Sequence, residues 1–208
     1  MWFVNTVSTR YYCCMTDTSK TIHDIVERLG NLLRADVRAA CHAQGVRPVQ
    51  FEALNYIAQC NRYSDTPQAV AEYLGLTKGT VSQTIKALET KGLLRKCIDK
   101  QDKRVVHLKP TARGRRLVDQ TAPADSVVRG IDRMTVGEQT AMVEALQRLL
   151  RAMQQANGLK TFAPCHTCRF NQQREGGYFC ELTQEPLAED DVKLLCREHQ
   201  YSPRMGTG

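Results

Sequence analysis

Residues 66–109 read TPQAVAEYLGLTKGTVSQTIKALETKGLLRKCIDKQDKRVVHLK, and this stretch decides the fold. Thr66 supplies an N-cap and Pro67 the first helical position of a short helix, because a hydroxyl accepts from an orphan N–H there and proline has none to lose. Val70, Ala71 and Leu74 form its apolar stripe. Gly75 stops the helix at a tight turn. Thr77 caps the next helix, in which Val81, Ile85 and Leu88 face inward and Lys78, Thr80, Ser82, Gln83 and Lys86 face outward. Small Ala71, Gly75 and Val81 fall where two crossing helices approach closely. The pattern predicts a helix-turn-helix whose second helix, about 77–90, enters a major groove. Beyond it, Leu93 and Leu94, then Val105, Val106 and Leu108, have strand character on either side of a charged tip, DKQDKR. They predict a two-stranded wing over about 95–108. Lys100, Lys103 and Arg104 on its tip suit phosphates or a narrow minor groove.

Charge points the same way. Residues 77–118 hold twelve Lys and Arg against three Asp and Glu, a net of +9, whereas the whole 208-residue chain is +7. The rest of the chain is therefore slightly acidic, and the positive charge is local, as a nucleic-acid footprint requires.

The helix, TVSQTIKALETKGLLRK, the Asp102-x-Arg104 wing tip, and then Leu108, Thr111 and Gly114 together resemble the MarR family of bacterial winged-helix regulators. The resemblance covers roughly residues 20–157. It implies a homodimer in which the first helix packs with the last two. It also implies that Arg104 enters the minor groove, with Asp102 orienting it through a salt bridge. Family members often carry Arg where this chain has Gln83, so the bases read are expected to differ. Such proteins usually sense a small phenolic ligand, or oxidants through cysteine.

Working outward, Ile22, Ile25, Val26, Leu29, Leu32, Leu33, Val37 and Ala40 make one long helical stripe, with Asp17–Ser19 as its N-cap region and Gly45 at its end. So long a stripe needs a partner surface. Residues 48–60 form the first helix of the winged-helix core, with Phe51, Leu54 and Ile57 inside. Cys41 and Cys60 read as buried thiols. After the wing, Thr111 restarts a helix that Pro123 interrupts, with Arg113, Arg115 and Arg116 on its first turns. A T-x-x-E capping box, Thr135 to Glu138, opens a final helix lined by Met142, Leu146, Leu149, Leu150 and Met153. Residues 1–17, with adjacent Cys13 and Cys14, have no periodicity and are expected to be a disordered tail; Met15 is an alternative start. The expected organisation is therefore 1–17, a winged-helix and dimerisation domain over 18–158, and a tail over 159–208.

That tail changes character. Of nine cysteines, four lie in the last 44 residues. Cys165, Cys168, Cys180 and Cys196 form a C-x2-C-x11-C-x15-C pattern, and a Cys-x-x-Cys puts two thiolates on one tight turn, the bite a metal needs. In a reducing compartment such thiols read as metal ligands, thiols or redox sensors rather than disulfides. The segment is too short and polar to build its own core, so a metal would provide the missing folding energy. Four thiolates with one close pair suit an iron–sulfur cluster, and the spacing is similar to that of high-potential iron–sulfur proteins. A Cys196-x-x-His199 pair suits zinc instead, with His199 as alternative ligand. The tail is acidic, four Lys and Arg against seven Asp and Glu over 165–200, so it is not expected to lie on DNA.

The expected fold class is mainly α (α+β): a winged helix-turn-helix with a helical dimerisation region and a small cysteine-rich metal module. The expected function is sequence-specific regulation of transcription by a homodimer on a pseudo-palindromic operator, responsive to redox or gas signals through an iron–sulfur cluster. A centre behind the dimerisation helices would then act on the spacing of the two heads. The alternative is a structural zinc with a small-molecule effector. A redox enzyme or electron carrier with a helix-turn-helix anchor is the competing class; no nucleotide-binding glycine loop and no Ser/His/Asp set supports an enzyme. With neither a membrane span nor a secretory signal, the cytoplasm is the expected location.

Overall fold

The computed structural model describes residues 16–202 apart from Gln101 and Glu175. Cys13, Cys14 and Met15 lie outside that range. Helix α1 (Asp17–Ala43) is capped by Thr16, whose side chain accepts from Ser19 N. The cap therefore falls one residue before the predicted Asp17–Ser19, which form the first turn. Helix α2 (Pro48–Gln59) follows, then α3 (Pro67–Leu74) and α4 (Lys78–Thr90). Thr66 accepts from Ala69 N and Thr77 from Thr80 N, so both predicted caps are in place. Gly75 ends α3 at φ +64°, a left-handed conformation that costs a side-chain-bearing residue energy.

Strands β1 (Leu94–Ile98) and β2 (Val106–Pro110) pair antiparallel, Leu94 opposite Pro110 and Ile98 opposite Val106, and make the wing. Helix α5 (Ala112–Thr121) is capped by Thr111. A short α6 (Asp125–Ile131), absent from the sequence reading, fills the segment after Pro123. Helix α7 (Val136–Ala156) opens on the predicted Thr135–Glu138 capping box.

The core lies between α2, α3, α4 and the wing. Leu54, Val70, Val81, Ile85, Leu88 and Leu108 are almost fully buried there, as is Tyr56, whose hydroxyl donates to Ser64 O at 2.9 Å. Cys41 and Cys60 are buried in the same core, and Cys60 Sγ faces Ile57 O at 3.6 Å. Helices α1 and α7 behave differently. Among the described residues α7 buries none and α1 only Cys41. Leu29 and Leu146 are each 48% exposed, within rows of exposed Ile, Leu, Val and Met. No described helix is long and apolar enough to cross a membrane.

After α7 the chain forms a small β module. β3 (Ala163–Pro164) pairs antiparallel with β7 (Leu195–Cys196), and β4 (Asn171–Arg174), β5 (Gly177–Cys180) and β6 (Glu185–Leu187) form a meander. Its apolar cluster is small: buried Cys165, Leu187 and Val192, with Tyr63 from the head packed against it. The tail thus borrows part of its interior from the winged helix.

Candidate nucleic-acid interface and cysteine site

Helix α4 presents Lys78, Thr80, Ser82, Gln83 and Lys86 as exposed side chains on one face, with Val81, Thr84, Ile85 and Leu88 buried on the other. The wing presents Lys100, Lys103 and Arg104 to solvent. Asp102 holds Arg104 in a fork: Nε donates to Oδ1 at 2.9 Å and Nη2 to Oδ2 at 2.8 Å. The guanidinium beside it lowers the Asp102 pKa. This exposed pair adds little stability, but it fixes the direction of a cationic tip. Of the arginines on α5, Arg113 instead donates to Lys91 O at 3.1 Å and ties α5 to the end of α4.

The wing is anchored by groups the sequence did not single out. His107 Nδ1 lies 2.5 Å from Asp65 Oδ1 and its Nε2 lies 3.2 Å from Asp99 Oδ2. Lys109 Nζ lies 2.6 Å from Asp65 Oδ2, and Leu108 N donates to Asp65 O at 2.7 Å. Asp65, between α2 and α3, is 1% exposed. The hydrogen bond from Asp65 raises the His107 pKa, with Asp99 adding and burial and Lys109 opposing. A histidine whose folded pKa is raised contributes stability that is complete below about pH 6.5 and is lost as pH rises through the folded value. Wild-type melting temperature is therefore expected to fall as pH rises above about 6.5, and His107→Gln should flatten that slope. Equal slopes in the two proteins would refute this role.

The structure brings the four tail cysteines together. Cys165, Cys168, Cys180 and Cys196 line one cavity of about 20 Å³, closed by Phe170, Leu182 and Leu187 and by Asn61 and Tyr63 of the head. Burial pushes the Cys165 thiol up to about 11, with Asn171 opposing and the other three thiols adding. Two donors point at sulfur: Asn171 Nδ2 to Cys165 Sγ at 3.5 Å and Gln200 N to Cys168 Sγ at 3.4 Å. Such N–H···S contacts favour thiolates. Among the described residues no group of three or more His, Cys, Asp and Glu side chains stands ready to hold a metal ion. A metal held there would require the thiols to shed their protons. His199 is placed elsewhere. Its Nδ1 lies 2.7 Å from Thr161 Oγ1 and its Nε2 2.9 Å from Thr167 Oγ1. Burial drives its pKa down to about 4. With both ring nitrogens beside hydroxyls, His199 does not line the cavity that the four cysteines share.

The tail packs on the head of its own chain, and it also meets the end of α7, where Arg151 lies over the Tyr201 ring. Asn61 N donates to Leu195 O at 2.9 Å and Arg197 N to Ser64 Oγ at 2.8 Å. Arg197 forks Glu72 of α3, Nε to Oε2 and Nη2 to Oε1, both at 2.7 Å. Those bonds hold the Glu72 carboxyl down to about 2. Arg62 pairs with Glu185 at 3.0 Å, and Tyr63 donates to the same carboxylate. Phe162 meets the stacked rings of Tyr56 and Tyr73 edge-on across the junction.

Residues 44–105 match the model of the MarR family. The fold is similar to that of a MarR family protein from Bacillus stearothermophilus (16% identity, TM-score 0.56, covering 67% of this chain and 98% of that one). It is also similar to Streptococcus pneumoniae FabT in complex with DNA (25%, 0.52, 67% and 99%). A third likeness is to CouR from Rhodococcus jostii RHA1 bound to p-coumaroyl-CoA (22%, 0.52, 65% and 95%). Over residues 44–105 the chain is thus similar to the MarR family, and its fold there is a winged helix. Each of these likenesses leaves about a third of this chain uncovered. No curated protein matches the chain.

Proposed function

We propose that this protein is a DNA-binding transcriptional regulator, a homodimer whose two α4 helices enter successive major grooves of a pseudo-palindromic operator while the wings reach the flanking minor grooves. The observation that carries this reading is the convergence of α4's exposed polar face with the forked Arg104 tip, on the part of the chain that holds the excess positive charge. FabT, with the same fold, is solved on DNA. Ser82 and Gln83 are assigned to base edges, Lys78 and Lys86 to guanine or phosphate, and Thr80, Lys100 and Lys103 to phosphates. The chain acts as a regulator and not as an enzyme.

The test is binding to a duplex selected by the protein from a randomised library, followed over a salt series. Affinity should fall steeply with salt, and Lys100→Ala or Lys103→Ala should each reduce the slope by about one. Arg104→Ala should cost about tenfold or more at constant salt, roughly the value of one good groove contact. Salt-independent binding, or an inert Arg104→Ala, would overturn the assignment.

In the tail, the four thiols are read as holding a metal centre, an iron–sulfur cluster ahead of zinc, whose state tunes DNA binding. Four thiols lining one cavity, Cys165 buried and the other three half-buried, with N–H donors aimed at two of the sulfurs, support it. Iron, sulfide and zinc analysis of protein purified without oxygen distinguishes the two metals. A cleft of about 570 Å³ between α3, α7 and residues 158–162, lined by Tyr73, Leu150 and Phe162, is the place a small-molecule effector would use; CouR is solved with such a molecule.

A further inference from the structure

The cysteine cavity is not built by the tail alone. Asn61 contributes one wall from the loop that leads into α3, and it is 1% exposed. Its Oδ1 accepts from Tyr63 N at 3.2 Å and Ser64 Oγ at 2.8 Å. A backbone N–H only donates, so the oxygen end of the amide is fixed, and Nδ2 is left on the cavity side. Among the described residues Nδ2 is a buried donor with no hydrogen-bond partner. A buried amide donor left unmade costs about 1–3 kcal/mol, so its presence needs an acceptor. The cavity it lines carries four sulfurs.

Three further links run from this point into the head. Cys196 lies on β7, whose neighbours are bonded to Asn61 N and Ser64 Oγ. Its successor Arg197 forks Glu72 on the outer side of α3. The same loop ends in Asp65, which holds β2 of the wing through Leu108, His107 and Lys109. Asn61, Ser64 and Asp65 thus sit between the thiols on one side and both DNA-reading elements on the other.

We propose that Asn61 is an outer-sphere donor to a thiolate-bound metal centre, and that through Asn61 and the Arg197–Glu72 fork the occupancy of that centre sets the position of α3, α4 and the wing within the same subunit. This rests on the reading of the four thiols as a metal site. The four thiolates bring negative charge into the cavity, and the unpartnered amide is the donor that meets it. The signal then needs no change in the distance between two heads. Asn61 and Glu72 are positioning residues: neither touches DNA or metal.

The experiment uses the full chain, loaded either with zinc alone or anaerobically with iron and sulfide, and stripped by chelator. Metal per chain and affinity for the selected duplex are measured for wild type, Asn61→Ala and Glu72→Gln. Loading should change wild-type affinity by about 5–150-fold, the range of ordinary coupling between sites. In Glu72→Gln and Asn61→Ala the metal stoichiometry should persist while that ratio collapses toward one. Glu72→Gln lies outside the cavity, so it decides the matter if Asn61→Ala fails to fold or load. Variants that keep the wild-type ratio overturn the inference, as does a wild type that loads metal with no effect on DNA. A wild type that takes up neither zinc nor iron overturns the underlying reading instead.

Discussion

Gly114→Ala is expected to destabilise the protein by at least about 3 kcal/mol, at the upper end of overpacking penalties. A Cβ on Gly114 would stand 2.0 Å from Leu93 O and 3.3 Å from Leu54 Cδ1. The first neighbour is backbone, so no rotamer change relieves it. Leu93 O is also held where it is, accepting from Thr111 N at 3.0 Å, while Thr111 Oγ1 donates to Gly92 O at 2.7 Å and accepts from Gly114 N at 3.1 Å. The turn from β2 into α5 is therefore closed against the end of α4 with room for a hydrogen only. For a chain this size the loss corresponds to roughly 6–12 °C in melting temperature. Gly137→Ala, where an added Cβ meets nothing within 4 Å, should be neutral or slightly stabilising in the same helix-forming sense. Equal melting temperatures for Gly114→Ala and wild type would show that α5 moves freely against α4.

The second large effect concerns the exposed apolar rows. Leu29 on α1 and Leu146 on α7 are half exposed, and their neighbours Ile25, Leu32, Val143 and Leu150 are exposed with them. Exposed apolar rows of this kind mark an interface. In a two-fold dimer one substitution acts twice. Leu146→Arg or Leu29→Arg is therefore expected to halve the mass seen by sedimentation at micromolar concentration. Binding to a two-half-site duplex should fall by about 10²-fold or more, because the second head no longer benefits from effective concentration. Affinity for an isolated half-site should stay unchanged. A persisting dimer would place the interface elsewhere.

The elements legible in the sequence are those whose signals are local. Thr66, Thr77, Thr111 and Thr135 are caps that act within three residues, and Gly75 ends α3 by a backbone preference of its own. The Asp102–Arg104 fork spans two residues and was equally readable. Helix α6 was missed because seven residues after a proline show no usable period. What anchors the wing was also missed, since His107 and Asp65 are 42 positions apart. For the tail, the four cysteines announced themselves by number and by the close pair. That Asn61 lines their cavity, that His199 is tied to two threonines, and that β7 lies on the loop before α3 are facts of tertiary packing. No periodicity records them. The tail's contacts with the head were not legible either: they come from isolated residues, Arg62, Glu72, Glu185 and Arg197, scattered through otherwise solvated segments.

The pairing of β3 with β7 has a kinetic consequence. Residues 163–164 and 195–196 face each other in a ladder only two residues long, so the thirty residues between them form a loop whose ends meet. Such a loop can open as a unit while the winged helix stays folded, at a free energy well below that of global unfolding. Amide hydrogens of β4, β5 and β6 should then exchange with deuterium together, and faster than those of α2 and α4. Anything that clips the thiols of Cys165 and Cys196 to one another or to a common atom would staple the loop at its base and slow that exchange, turning the tail's breathing rate into a direct report of what its cysteines hold.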